Sequence, residues 1–176
     1  RHFFQETDTW QGTFGLRGKL ANDWAWEVAG SFGRNTAVDG STNIANLERV
    51  ANTLDRSKCS STAGAAIPCG DYLGFGDLTP QVLDYILFTS RDRGGNELGT
   101  VTADLNGDLF SLPAGAVSFA TGVVYRREKG WRDPDPLTVL GVANVNQQDP
   151  ISGSSTAKEA YLELSVPVLA NTAFAK

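Results

Sequence analysis

The sequence predicts an all-β fold: an antiparallel up-and-down meander of about five strands, part of a larger transmembrane β-barrel, with short helices in a long extracellular loop. Three observations predict it. A unit of alternating strand, tight turn and alternating strand recurs along the 176 residues. The connections between units are far longer than those within them. Each strand has one apolar column and one polar column. In a meander every second connection leaves the same end of the sheet, so short turns gather at one end and long loops at the other. That asymmetry belongs to outer-membrane barrels, and a soluble sandwich has no physical reason to keep it.

The first strand, 9–19, sets Trp10, Phe14 and Leu16 against Gln11, Thr13 and Arg17. Ala21-Asn22-Asp23 turns the chain into 24–34, where Trp24, Trp26, Val28 and Phe32 oppose Glu27. A long loop, 35–96, follows. The third strand, 97–110, places Val101, Leu105 and Leu109 opposite Asp104 and Asn106. Leu112 to Ala116 turns it into 116–127, with Phe119, Val123 and Tyr125 against Arg126. A second long loop, 128–157, leads to 158–166, where Leu162 and Leu164 oppose Glu159 and Glu163; Pro167 to Thr172 is the next short turn. In a barrel the apolar columns face lipid and the polar columns face a wet lumen. Trp24, Trp26 and Tyr125, read as lying near strand ends, suit an interfacial girdle.

Composition is compatible with this class but narrows it little. A net charge of −5 argues against a nucleic-acid partner, because phosphate binding needs clustered Lys and Arg. No apolar run approaches the roughly eighteen residues of a transmembrane helix, but a barrel strand needs only about ten, half of them polar. The chain opens Arg1-His2-Phe3-Phe4, without Met or a signal-peptide pattern, so the expectation is a processed or excised piece. Five strands do not close, since the smallest membrane barrels use about eight. Phe174-Ala175-Lys176 reads as the start of a sixth. The chain is therefore expected to be a fragment.

The 35–96 loop carries two helical patterns. Ile44, Leu47, Val50, Ala51 and Leu54 form one apolar stripe; Val82, Leu83, Ile86 and Leu87 form another, behind a Thr79 cap and Pro80. Core packing explains both stripes better than ligand binding. Cys59 and Cys69 are the two cysteines, and a disulfide is favoured over a metal site, which needs more ligands than the single His2 offers. Asp104-Leu105-Asn106-Gly107-Asp108 imitates the start of a calcium loop but lacks the required Gly and Glu further on. Asp133-Pro134-Asp135-Pro136 offers carboxylates for a cation, or a stiff solvated segment. No nucleophile–base pair, phosphate loop or zinc spacing is present in the sequence, so no catalytic, cofactor-binding or metal-binding residue is assigned.

The stretch from Leu112-Pro113-Ala114-Gly115 through Tyr125-Arg126-Arg127-Glu128 resembles one common in TonB-dependent outer-membrane receptors. Asp133-Pro134-Asp135, the strand Lys158 to Leu169, and the Cys59–Cys69 loop followed by Leu78 to Ile86 are similar to that family as well. Together these cover most of the chain. The resemblance implies a 22-stranded barrel with a plug, in the outer membrane of a Gram-negative bacterium. It implies active uptake of a scarce siderophore, cofactor, oligosaccharide or similar ligand, energised by TonB through a missing N-terminal part. The partners implied are membrane lipid, the rest of the barrel and plug, and the ligand. A passive porin or autotransporter-type barrel, and a soluble carbohydrate-binding β-module, are the alternatives.

Overall fold

A computed structural model describes residues 1–72 and 78–169. The fold is all-β, with five antiparallel strands in one sheet in sequence order. They are β1 (Phe3–Lys19), β2 (Ala25–Ala45), β3 (Leu87–Leu112), β4 (Gly115–Asp133) and β5 (Ile151–Ser165). The helices are short: α1 (Leu47–Leu54), α2 (Pro80–Ile86) and α3 (Pro136–Val139). Among the described residues no helix is long and apolar enough to cross a membrane, which has no bearing on crossing by strands.

The strand bounds correct the expected ones. β2 runs on to Ala45 and β3 begins at Leu87, so the first long connection shrinks from 35–96 to 46–86. β4 runs to Asp133 and β5 starts at Ile151, reducing the second from 128–157 to 134–150. Tyr125 consequently lies in mid-strand, not at a strand end. Val166 falls just beyond β5. The proposed sixth strand at Phe174 to Lys176, and the last part of the Pro167 to Thr172 turn, lie outside the described residues.

The chain divides into two compact units. A strand unit comprises Thr9–Asn35, Asn96–Gly130 and the chain from Gly153 onward; a loop unit comprises Arg1–Asp8, Thr36–Gly95 and Trp131–Ser152. In the strand unit both short turns have a clear local cause. Asn22 (φ 72°) and Asp23 (φ 61°) take the left-handed conformation that Asn and Asp tolerate best, and Leu20 N–H donates to the Trp24 carbonyl at 2.7 Å. Gly115, at φ 141°, turns β3 into β4 in a region few other residues enter.

In the loop unit, Ile44, Val82, Ile86 and Ala143 form a small apolar core around buried Asn46, Thr53 and Thr138. Asn46 is the hub. Its Oδ1 accepts from Arg49 N–H at 3.0 Å and caps α1, while its own N–H donates to the Ile86 carbonyl at 2.8 Å. Thr79 caps α2, with Pro80 at its first turn, as the sequence predicts. The α1 stripe is different from the one expected. Leu47 and Leu54 are exposed, and the helix buries Thr53, whose Oγ1 donates to the Val50 carbonyl at 2.7 Å.

Candidate functional site

The two columns of the strand unit are filled in different ways. Contacts between neighbouring strands join like column with like. On the apolar side the Trp24 indole lies over Gly107, meets Phe119 edge-on with centroids 4.8 Å apart, and donates from Nε1 to the Asp108 carbonyl at 2.9 Å. Trp26 covers Gly18, where a Cβ would come within 3.0 Å of the indole. Trp10 and Phe32 stand with ring centroids 5.2 Å apart. Two of the expected girdle residues thus sit half-buried on glycines of the neighbouring strand.

Most of that column has no cover. Phe14 is 71% exposed, Leu162 67% and Leu164 60%. Leu16, Val28, Val101, Leu109, Val123 and Tyr125 are exposed too, while Leu105 and Phe119 are intermediate. So broad an exposed apolar face is more than the surface of a soluble monomer usually carries.

The opposite column is a lattice of polar pairs. Arg126 donates from Nη2 to Glu159 Oε1 at 3.1 Å, and its Nε lies 3.9 Å from Glu128. Tyr161 donates its hydroxyl to Asp104 Oδ1 at 2.7 Å, reaching from β5 to β3 across Gly122. A Cβ at Gly122 would collide with both the Asp104 carboxylate and the Tyr161 ring, so the glycine is what permits the crossing. Ser118 donates to Asp108. Arg17, Glu27 and Asn106, from three strands, line one depression of about 400 Å³. Gln11 packs against Gly33, and Glu163 is exposed on β5. The division has exceptions: exposed Leu98 and Phe110 fall in the polar column.

Alternation places Tyr161 and Ser118 in the polar columns, but neither was singled out from the sequence as a lumen-facing residue, and their bonds to Asp104 and Asp108 were not expected. A signal existed for Tyr161, namely an aromatic hydroxyl in the column of Asp104 with a glycine on the strand between them. The calcium-like Asp104 to Asp108 segment is strand backbone, with its carboxylates accepting from Tyr161 and Ser118. Among the described residues no group of His, Cys, Asp and Glu is arranged to hold a metal.

In the loop unit Cys59 and Cys69 form a disulfide, with Cα atoms 4.9 Å apart. Hydrogen bonds tie down the loop it closes and the residue that follows it. Gly70 N–H donates to the Thr53 carbonyl at 3.0 Å, Gln81 Nε2 donates to the Ala65 carbonyl at 3.0 Å, and Ser60 N–H donates to the Ile67 carbonyl at 3.0 Å. Asp135, one of the possible cation ligands, is engaged in structure. Its Oδ1 caps α3 through Leu137 N–H at 3.0 Å and its Oδ2 accepts from Arg91 N–H at 3.1 Å. Asp92 accepts from both Asp135 N–H and Arg132. The α3 helix was missed, although Asp135-Pro136 is a cap followed by a first-turn proline.

A turn at Asp55 leads into Cys59. Ser57 donates to Asp55 Oδ1 from its hydroxyl at 2.7 Å and from its N–H at 2.9 Å, with Lys58 Nζ 3.9 Å away. These bonds, the hydroxyl first, hold the Asp55 carboxyl below its usual 3.8. A depressed carboxylate stabilises the fold above its unfolded pKa, and the contribution is lost as pH falls through the lower folded value. Amide exchange at Lys58 and Cys59, whose N–H groups donate to the Asp55 carbonyl, should therefore report a turn that loosens only below about pH 4. In Asp55→Asn that pH step should vanish. A step that survives in the variant assigns it to another group.

No protein-family model, curated protein or solved structure matches the chain.

Proposed function

We propose that the chain forms part of the wall and surface loops of a TonB-dependent outer-membrane receptor, taking up a scarce small or oligomeric ligand into a Gram-negative cell. The observation that supports it best is the uncovered apolar column across all five strands, backed by a column of charged and hydroxyl pairs. That is the distribution a lipid-facing wall with a wet interior requires. Strands of 15 to 26 residues exceed the roughly ten needed to span a bilayer. The remaining polypeptide of the barrel would supply the missing strands, the plug and the TonB-contacting segment, because unpaired strand edges are costly in hydrocarbon.

In this reading the loop unit with its disulfide is extracellular and takes the first contact with ligand. The turns at Asn22 and at Pro113-Ala114 are periplasmic. The full-length protein should fractionate with the outer membrane, and uptake of its ligand should stop when the inner-membrane proton gradient is collapsed. Uptake that continues unabated would make the protein a passive pore. A cysteine placed at Asp133, with Cys59 and Cys69 replaced by Ser, should label on intact cells, whereas one at Asn22 should not. The reverse pattern inverts the orientation.

A further inference from the structure

We propose that a polar hollow in the loop unit takes one ring of a neutral sugar, held through the Ser41 and Thr138 hydroxyls. As a first-contact site for uptake, it deepens the reading above and rests on it. Among the described residues, two buried side-chain oxygens lack a hydrogen-bond partner: Ser41 Oγ on β2 and Thr138 Oγ1 on α3. They come from distant parts of the chain, yet both residues line the same hollow of about 240 Å³.

Native folds seldom leave a buried hydroxyl without a partner. Elsewhere in this unit the buried polar groups are satisfied. Asn46 caps α1, and Thr53 bonds to the Val50 carbonyl and to the Tyr72 hydroxyl. Two orphaned hydroxyls on one hollow are therefore a pair of contacts that a ligand's own hydroxyls would complete. The hollow is far larger than a single water requires. It is smaller than the roughly 300–1,000 Å³ of pockets that hold drug-sized ligands. That size suits one small ring.

The charges of the lining select against an ion. Arg1 and Arg132 stand against Asp39 and Asp92, two of each sign. All four are already engaged: Arg132 with Asp92 at 2.8 Å, Arg1 with the Asn144 carbonyl at 3.0 Å, and Asp39 with Gln5 at 2.7 Å. None is exhausted by these bonds, since a carboxylate accepts about four and a guanidinium donates five. The hollow thus offers donors and acceptors side by side with no net charge. Ring hydroxyls, each able to donate and accept, match that mixture better than an anion or a cation does. Phe3, Ile44 and Val145 supply apolar wall for the C–H groups of the ring.

The test titrates full-length protein in detergent micelles with D-glucose, D-galactose, D-mannose and D-xylose, read by saturation-transfer NMR. At least one should bind, and its uronate and 2-amino counterparts should bind more weakly. Thr138→Val, which keeps the side-chain shape and removes the hydroxyl, should weaken binding roughly tenfold, as should Ser41→Ala. Without sugar both variants should match the wild type in protease resistance of the loop unit, because neither hydroxyl has a protein bond to lose. Folded wild-type protein that binds none of the four sugars overturns the site and leaves the barrel reading intact. So does undiminished binding by both folded variants, or tighter binding of the uronate or amino sugar. Sugar binding by a protein that does not fractionate with the outer membrane overturns the uptake reading and leaves the site standing.

Discussion

In the proposed barrel, Phe14→Arg and Leu105→Arg are each expected to destabilise the inserted full-length protein by about 2–4 kcal/mol, the cost of Arg on a lipid face near the bilayer midplane. Asn106→Arg, one residue along β3 from Leu105, should fold with little penalty. The contrast follows from the strand period. Neighbouring positions point to opposite faces, and a one-residue step exchanges hydrocarbon for water. Phe14 is 71% exposed, so the variant removes little internal packing. Its cost is therefore almost wholly solvation of the new charge. Asn106 lines the depression shared with Arg17 and Glu27, where an added guanidinium has a carboxylate neighbour and a wet surrounding. Reversible unfolding from lipid measures all three. Equal costs at Leu105 and Asn106 would show that the two columns have been assigned to the wrong faces.

How much of this was legible in the sequence depends on how local the signal is. The five strands, their order and their columns could be read because alternation is a property of adjacent residues. The far ends of β2 and β3 could not. From Asn35 to Thr42 the chain is mostly small or polar, with Val38 its one large apolar residue and so no apolar column to count, and what orders it comes from residues distant in sequence. Gln5 donates to Asp39 at 2.7 Å, and the Phe4 ring lies on Gly40. The α1 stripe misled for a related reason. Helical spacing identified Leu47 and Leu54, but the helix turns toward Tyr72, whose hydroxyl meets Thr53 Oγ1 at 2.7 Å. A polar residue was buried because its partner was waiting nineteen positions on. The same holds for Asp135, which bonds to Arg91 N–H across forty-four positions. The disulfide was legible by count alone, since two cysteines ten residues apart have few alternatives.

Replacing Cys59 and Cys69 together by Ser is expected to loosen the loop unit and leave the strands assembled. Closing a loop of this length removes about 2–3 kcal/mol of unfolded-state entropy, so its loss should raise local opening by roughly 30- to 150-fold. The opening should be confined to the cross-linked segment and its ties. Once the cysteines part, Gly70 no longer holds its bond to the Thr53 carbonyl against chain entropy, and Gln81 loses its fixed acceptor at Ala65. Gly70 has a special place in this. A Cβ there would come within 2.6 Å of the Tyr72 ring and 3.2 Å of Thr53 Oγ1, so the chain passes α1 with no slack. Limited proteolysis of intact cells should then nick the double variant near Ala63 to Ala66 well before the wild type. Barrel mobility on unheated gels should be unchanged, because α1, α2 and both cysteines belong to the loop unit, apart from the column pairs that order the strand unit. Loss of barrel assembly in the Ser variant would mean that the loop nucleates the fold, and that ordering proceeds from the disulfide segment into the strands.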